Sequence, residues 1–90
     1  MLLKIFSVYD SGAGFYGQPV FSKSKGEFLR SFAQASNDPG CTIGAHPQDF
    51  TAFEVGEYDD ETCKFTFLPA PVALGKAVEY VRPTGDSERP

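Results

Sequence analysis

The stretch TAFEVGEYDDETCKFTFL, residues 51–68, decides the fold. Two runs rich in β-branched and aromatic residues, 51–58 and 63–68, flank Asp59-Asp60-Glu61-Thr62, which reads as a type I turn within a short hairpin loop. Side chains alternate across a strand, so Phe53 and Val55 on one run and Phe65 and Phe67 on the other suit one buried face. A β-hairpin is therefore the firmest tertiary expectation.

Upstream of the hairpin, residues 41–49 form an irregular loop with Gly44 and Pro47. Before that loop, Ser24-Lys25-Gly26-Glu27 has the capping-box form, and Phe28, Leu29, Phe32 and Ala33 make one apolar helical stripe. The helix should end near Asn37, because Asp38 precedes Pro39 and Gly40 follows. Residues 2–10 read as a strand with apolar groups on both faces, hence a central one, and 11–17 as a glycine-rich loop. Pro19-Val20-Phe21-Ser22 is a short extended piece whose proline favours an edge.

Downstream, Pro71 can start a short helix over 72–80 with Leu74, Val78 and Val81 inward, while Gly75 and the run 77–81 leave a strand open. The elements add up to one α+β domain over residues 1–81, with a flexible polar tail at 82–90. Its architecture is a small antiparallel sheet of about three to four strands packed on one main helix, closed by a short C-terminal helix or strand. With ninety residues, a second domain is not expected. Nine phenylalanines supply the core, each buried ring worth roughly 2 to 3 kcal/mol.

No window approaches the apolar length of a membrane span, and the N-terminus lacks a signal peptide's pattern, so a soluble protein is expected. Cys41 and Cys63 have no metal-ligand spacing and read as free thiols in a reducing cytoplasm. The net charge of −4 is unevenly spread. Lys4, Lys23, Lys25 and Arg30 outnumber Asp10 and Glu27 before Asp38, whereas carboxylates dominate from Asp38 onward. Any nucleic-acid contact would need a local basic face in the first part.

Several collinear stretches resemble the nonstructural protein of gokushovirus-type microviruses, small phages with circular single-stranded DNA whose fifth open reading frame encodes a protein of this length. They are LKIFSVYDS at 3–11, PVF at 19–21, KGE at 25–27, RSF at 30–32, NDP at 37–39, PQDFTAFEVGEYDD at 47–60 and KF at 64–65. The resemblance implies a phage protein in the host cell cytoplasm, described as DNA-binding or as aiding single-strand synthesis and packaging. One departure is Cys63, where the family's turn often carries glycine, which adopts positive φ cheaply.

Other motifs carry less. Gly12-Ala13-Gly14-Phe15-Tyr16-Gly17 fits the dinucleotide fingerprint, but Gln18-Pro19 follows in place of a helix start and no ribose-binding acid comes after. No cofactor is expected. Glu57, Asp59, Asp60 and Glu61 lack calcium-loop spacing, and His46 has no second histidine or cysteine at ligand spacing, so no metal is expected. A lone histidine near Cys41 is weak support for nucleophilic catalysis, and no enzyme is expected.

The candidate binding residues are Phe15 and Tyr16, whose rings can stack on unpaired bases, with Lys23, Lys25 and Arg30 close by in sequence. The opposing reading folds Phe15 into the core and leaves the lysines solvated. Two functions follow as expectations: a single-stranded DNA-binding protein of genome replication or packaging, or a module binding a phage or host protein without DNA contact. Homo-oligomers through β-edges are compatible with either.

Overall fold

The computed structural model describes residues 1–82, so the tail expected over 82–90 lies, except for Arg82, outside the described residues. In chain order the elements are β1 (Leu2–Asp10), β2 (Phe15–Tyr16), β3 (Val20–Ser22), α1 (Lys25–Ser36), the single turn α2 (Thr42–Ala45), β4 (Phe50–Asp59) and β5 (Lys64–Lys76). Two 3-10 turns, Pro47–Asp49 and Ala77–Tyr80, lead into β4 and out of β5.

Every strand pairing is antiparallel, in the order β2-β1-β4-β5, with β3 also beside β1. The fold is α+β with one main helix, as read from the sequence, but among the described residues the sheet has five strands. The additional one is β2, inside the expected glycine-rich loop. Asp10 Oδ1 accepts from the amides of Gly12 (2.9 Å) and Ala13 (3.2 Å), and Gly14, at φ 84°, donates to the Asp10 carbonyl. That tight turn returns Tyr16 alongside Tyr9.

The helix begins where its cap predicts, with Ser24 Oγ accepting from the Glu27 amide at 3.1 Å. It ends at Ser36, and Asn37 then ties it to the end of the fold. The Asn37 side-chain amide donates to the Ala33 and Tyr80 carbonyls, and its Oδ1 accepts from the Arg82 amide. Phe28 and Phe32 sink into a core with Phe6, Phe50, Ala52 and Ala77, flanked by Val8, Leu29, Leu74 and Tyr80.

The C-terminal segment combines the two alternatives left open. It stays extended to Lys76 and then makes the turn Ala77–Tyr80. Leu74 and the fully buried Ala77 meet the core, whereas Val78 and Val81, expected inward, are exposed.

A line of irregularities crosses the sheet at mid-length. β1 shifts register between Ile5 and Phe6, β4 leaves Val55 unpaired at the same level, and on β5 residues 68–71 stand opposite that one residue. Such bulges bend and twist a sheet. On one side of the line, α1 covers the sheet through Phe6, Ala52 and Phe50. On the other, the same face carries the Lys4–Glu57 ion pair at 2.8 Å.

Candidate functional site

Residues directly opposite in a sheet point to the same side, so the pairing register defines the face that α1 leaves open. Leu3 lies beside Tyr58 and Phe65; Ile5 beside Phe21, Gly56 and Phe67; Ser7 beside Phe53 and Ala73; Tyr9 beside Tyr16 and Thr51, which pairs with Lys76. Seven aromatic rings therefore share one uncovered face.

The rings form two groups. Tyr16 sits 4.8 Å from Tyr9 and 5.4 Å from Phe53, centroid to centroid, while Phe21, Tyr58, Phe65 and Phe67 make a second group with spacings of 4.6 to 6.4 Å. Packing against one another leaves four of the rings half-exposed, Tyr16, Phe21 and Phe65 at about 45% and Phe67 at 61%, while Tyr9, Phe53 and Tyr58 are set more deeply. This corrects the expectation that Phe65 and Phe67 share a buried face. The hairpin exists and its alternation is real, but the helix covers the opposite side, and period-two alternation cannot say which side a helix takes.

Between the groups, at the bulge line, lies a shallow apolar groove of about 270 Å³ lined by Ser7, Tyr16, Gly17, Pro19, Val55 and Pro71. Its one side-chain polar group besides the Tyr16 phenol is already used, since Ser7 Oγ donates to the Gly17 carbonyl at 2.9 Å. Gly56 is required nearby because a Cβ there would press on the Thr66 carbonyl and Phe67 Cα. Of the residues in register on this face, only Lys76 is charged.

Charge collects instead at the hairpin end. The Met1 ammonium donates to Asp60 at 2.6 Å and to Glu61 at 3.3 Å, and its pKa is raised first of all by the Asp60 bond. Asp59 is held below its ordinary value chiefly because the Glu61 amide donates to it at 2.9 Å. Tyr58 is pushed up, the Cys63 thiol beside it being the largest cause. Cys63 itself is exposed and has φ 61°, so the positive φ that the family's glycine would take is present here in a cysteine.

The five candidate residues are not brought to one place. Tyr16 is on the open face. Phe15, its neighbour on β2, pairs with Asp10 and so points to the other side, where it is 63% exposed. Lys25 and Arg30 are exposed on α1, across the sheet from the aromatic rings, and Lys23 is exposed in the link from β3. Sequence reasoning missed Phe21, Phe65 and Phe67 as surface groups. The signal that could have found them is that one short amphipathic helix cannot cover both faces of the sheet.

Among the described residues no helix is long and apolar enough to cross a membrane, and no three His, Cys, Asp or Glu side chains gather as ligands would. The model of a family described as Phage ORF5 protein matches residues 3–80. No curated protein and no solved structure matches the chain.

Proposed function

Since this chain belongs to the Phage ORF5 protein family and is a small phage protein, we propose that it binds single-stranded DNA, stacking unpaired bases on the open aromatic face of its sheet. The carrying observation is that Tyr16, Phe21, Phe65 and Phe67 stand half-exposed on one uncovered face. Base–aromatic stacking contributes roughly 1 to 3 kcal/mol per base and tolerates any sequence. The groove suits such indifference, because its apolar lining offers few groups to read base edges.

The resemblance to gokushovirus-type proteins supports the same reading, since those phages carry single-stranded DNA, and it assigns the work to genome replication or packaging in the host cytoplasm. The protein acts by binding and performs no catalysis. The strand crosses the face near Tyr16 and Lys76, and of the five residues singled out in the sequence Tyr16 does the stacking.

Labelled oligothymidylate titrated with the purified chain at two salt concentrations tests this. With one lysine in register on the face, affinity should fall only shallowly with salt, with a slope of about −0.7 for one phosphate neutralised on a single strand. Absence of binding at low salt would sink the reading. It would favour the second one, a protein-interaction module, which the net charge of −4 and the cation-poor face support.

A further inference from the structure

We infer that a single strand is held at two separate stacking positions, one on Tyr16 and one on Phe21, Phe65 and Phe67, with the nucleotides between them bridging the groove unstacked. The inference rests on the reading that unpaired bases stack on this face, and it adds the spacing of the bases that are held.

The ring geometry limits where a base can go. Centroids lie 4.8 Å apart for Tyr9 and Tyr16, 5.4 Å for Tyr16 and Phe53, and 5.8 Å for the near-parallel Phe65 and Phe67. A base inserted between two rings needs about 7 Å, twice the rise of a stacked strand. Bases therefore lie only on the outer surfaces of the half-exposed rings, Tyr16 at one end and Phe21, Phe65 and Phe67 at the other.

The register keeps these two ends apart. Tyr16 lies level with Tyr9 of β1, Phe21 and Phe67 level with Ile5, and Phe65 level with Leu3. Along β1 that separation is about 13 to 20 Å at the rise of an extended strand. Adjacent bases of a stacked strand are about 3.4 Å apart, so the bases at the two ends belong to nucleotides that are not neighbours.

The bridge crosses a surface that holds no base. The groove there is lined by Ser7, Tyr16, Gly17, Pro19, Val55 and Pro71, with no aromatic side chain besides Tyr16. Ser7 Oγ already donates to the Gly17 carbonyl. A base edge pressed into that apolar lining would lose most of its bonds to water without replacement, so the bridging bases stay in solvent.

Tetranucleotides that carry two thymines and two abasic sugars test the spacing, because their length and charge are equal. They are titrated by fluorescence anisotropy at low salt beside a longer oligothymidylate. With thymines at both ends, or at the first and third positions, at least one isomer should bind about ten-fold tighter than the isomer with its thymines adjacent, since a second seated base contributes roughly 5- to 150-fold. Equal affinity of all the isomers, with the longer oligothymidylate bound, overturns the spacing and leaves the proposed function standing. Failure of every tetranucleotide while the longer strand binds also overturns it, and no binding of any strand removes the proposed function as well. Tyr16→Ala, at an exposed position, should erase the preference for separated thymines while keeping its circular dichroism, and Tyr16→Phe should retain it. A preference that survives in Tyr16→Ala overturns the place of Tyr16 as one of the two positions.

Discussion

The rings of Phe6 and Phe28 stack at 4.2 Å with 2° between their planes, and this contact joins β1 to α1. Phe28→Ala removes the helix's half of it. A buried ring truncated in this way costs about 3 to 5 kcal/mol, a large share of the roughly 5 to 15 kcal/mol that holds a domain folded. Urea denaturation should report that loss, and a midpoint unchanged from the parent would mean that the helix is not anchored there.

On the other side of the sheet the expectation reverses. Tyr16→Ala and Phe67→Ala remove half-exposed rings, so stability should fall little while affinity for oligothymidylate drops by about 1 to 3 kcal/mol for each ring. Phe15→Ala, pointing to the opposite side, should leave affinity unchanged, as should Lys25→Glu and Arg30→Glu on the far helix. Anisotropy titrations compare all five; equal losses for Phe15 and Tyr16 would refute the assignment of faces.

Much of this was legible in the residues. Ser24 and Glu27 marked the start of the helix, Asn37 its end, and Asp59 to Thr62 the hairpin. The lost information was tertiary. Alternation at Phe53, Phe65 and Phe67 reports that the side chains share a face, and it is silent on whether a helix covers that face. The bulge at Val55 also escaped, because a register shift depends on the partner strand, which no local pattern encodes. Of the five candidate residues the register places Tyr16 on the open face; Lys23, Lys25 and Arg30 were near it in sequence, and the turn into the helix carried Lys25 and Arg30 to the other side.

Cys63 holds φ 61° at the hairpin tip, a conformation that costs a non-glycine residue about 1 to 2 kcal/mol. Cys63→Gly removes that strain and gives back part of the gain through a more flexible unfolded chain. A net stabilisation of up to about 1 kcal/mol should appear as a melting point several degrees higher in a domain of this size. A lower melting point would mean that the thiol's contact with Tyr58 outweighs the strain.

Gly56→Ala should act in the opposite sense. The added methyl meets the backbone at Thr66 and Phe67, which cannot swing aside, so β4 and β5 must separate. Overpacking of this kind costs about 1 to 3 kcal/mol. Amide exchange along 64–67 should accelerate well before the helix amides do.

Acid should loosen the hairpin tip first. Asp59 titrates below its ordinary value of 3.8 because the Glu61 amide donates to its carboxylate. With the folded value depressed, its contribution is complete above the unfolded value and fades as pH falls through the folded one. The Glu61 amide resonance should therefore shift in that window, below pH about 4, and Asp59→Asn should abolish the shift.

Pro69 and Pro71 lie on β5, the outer strand of the sheet, within the segment that bulges opposite Val55. Proline has no amide hydrogen, so the row of donors along that border is interrupted at its middle, and an incoming strand finds no continuous ladder to extend. Growth of the sheet from molecule to molecule is stopped at this border. A chain with so many rings outside its core thereby offers no continuous ladder along this border.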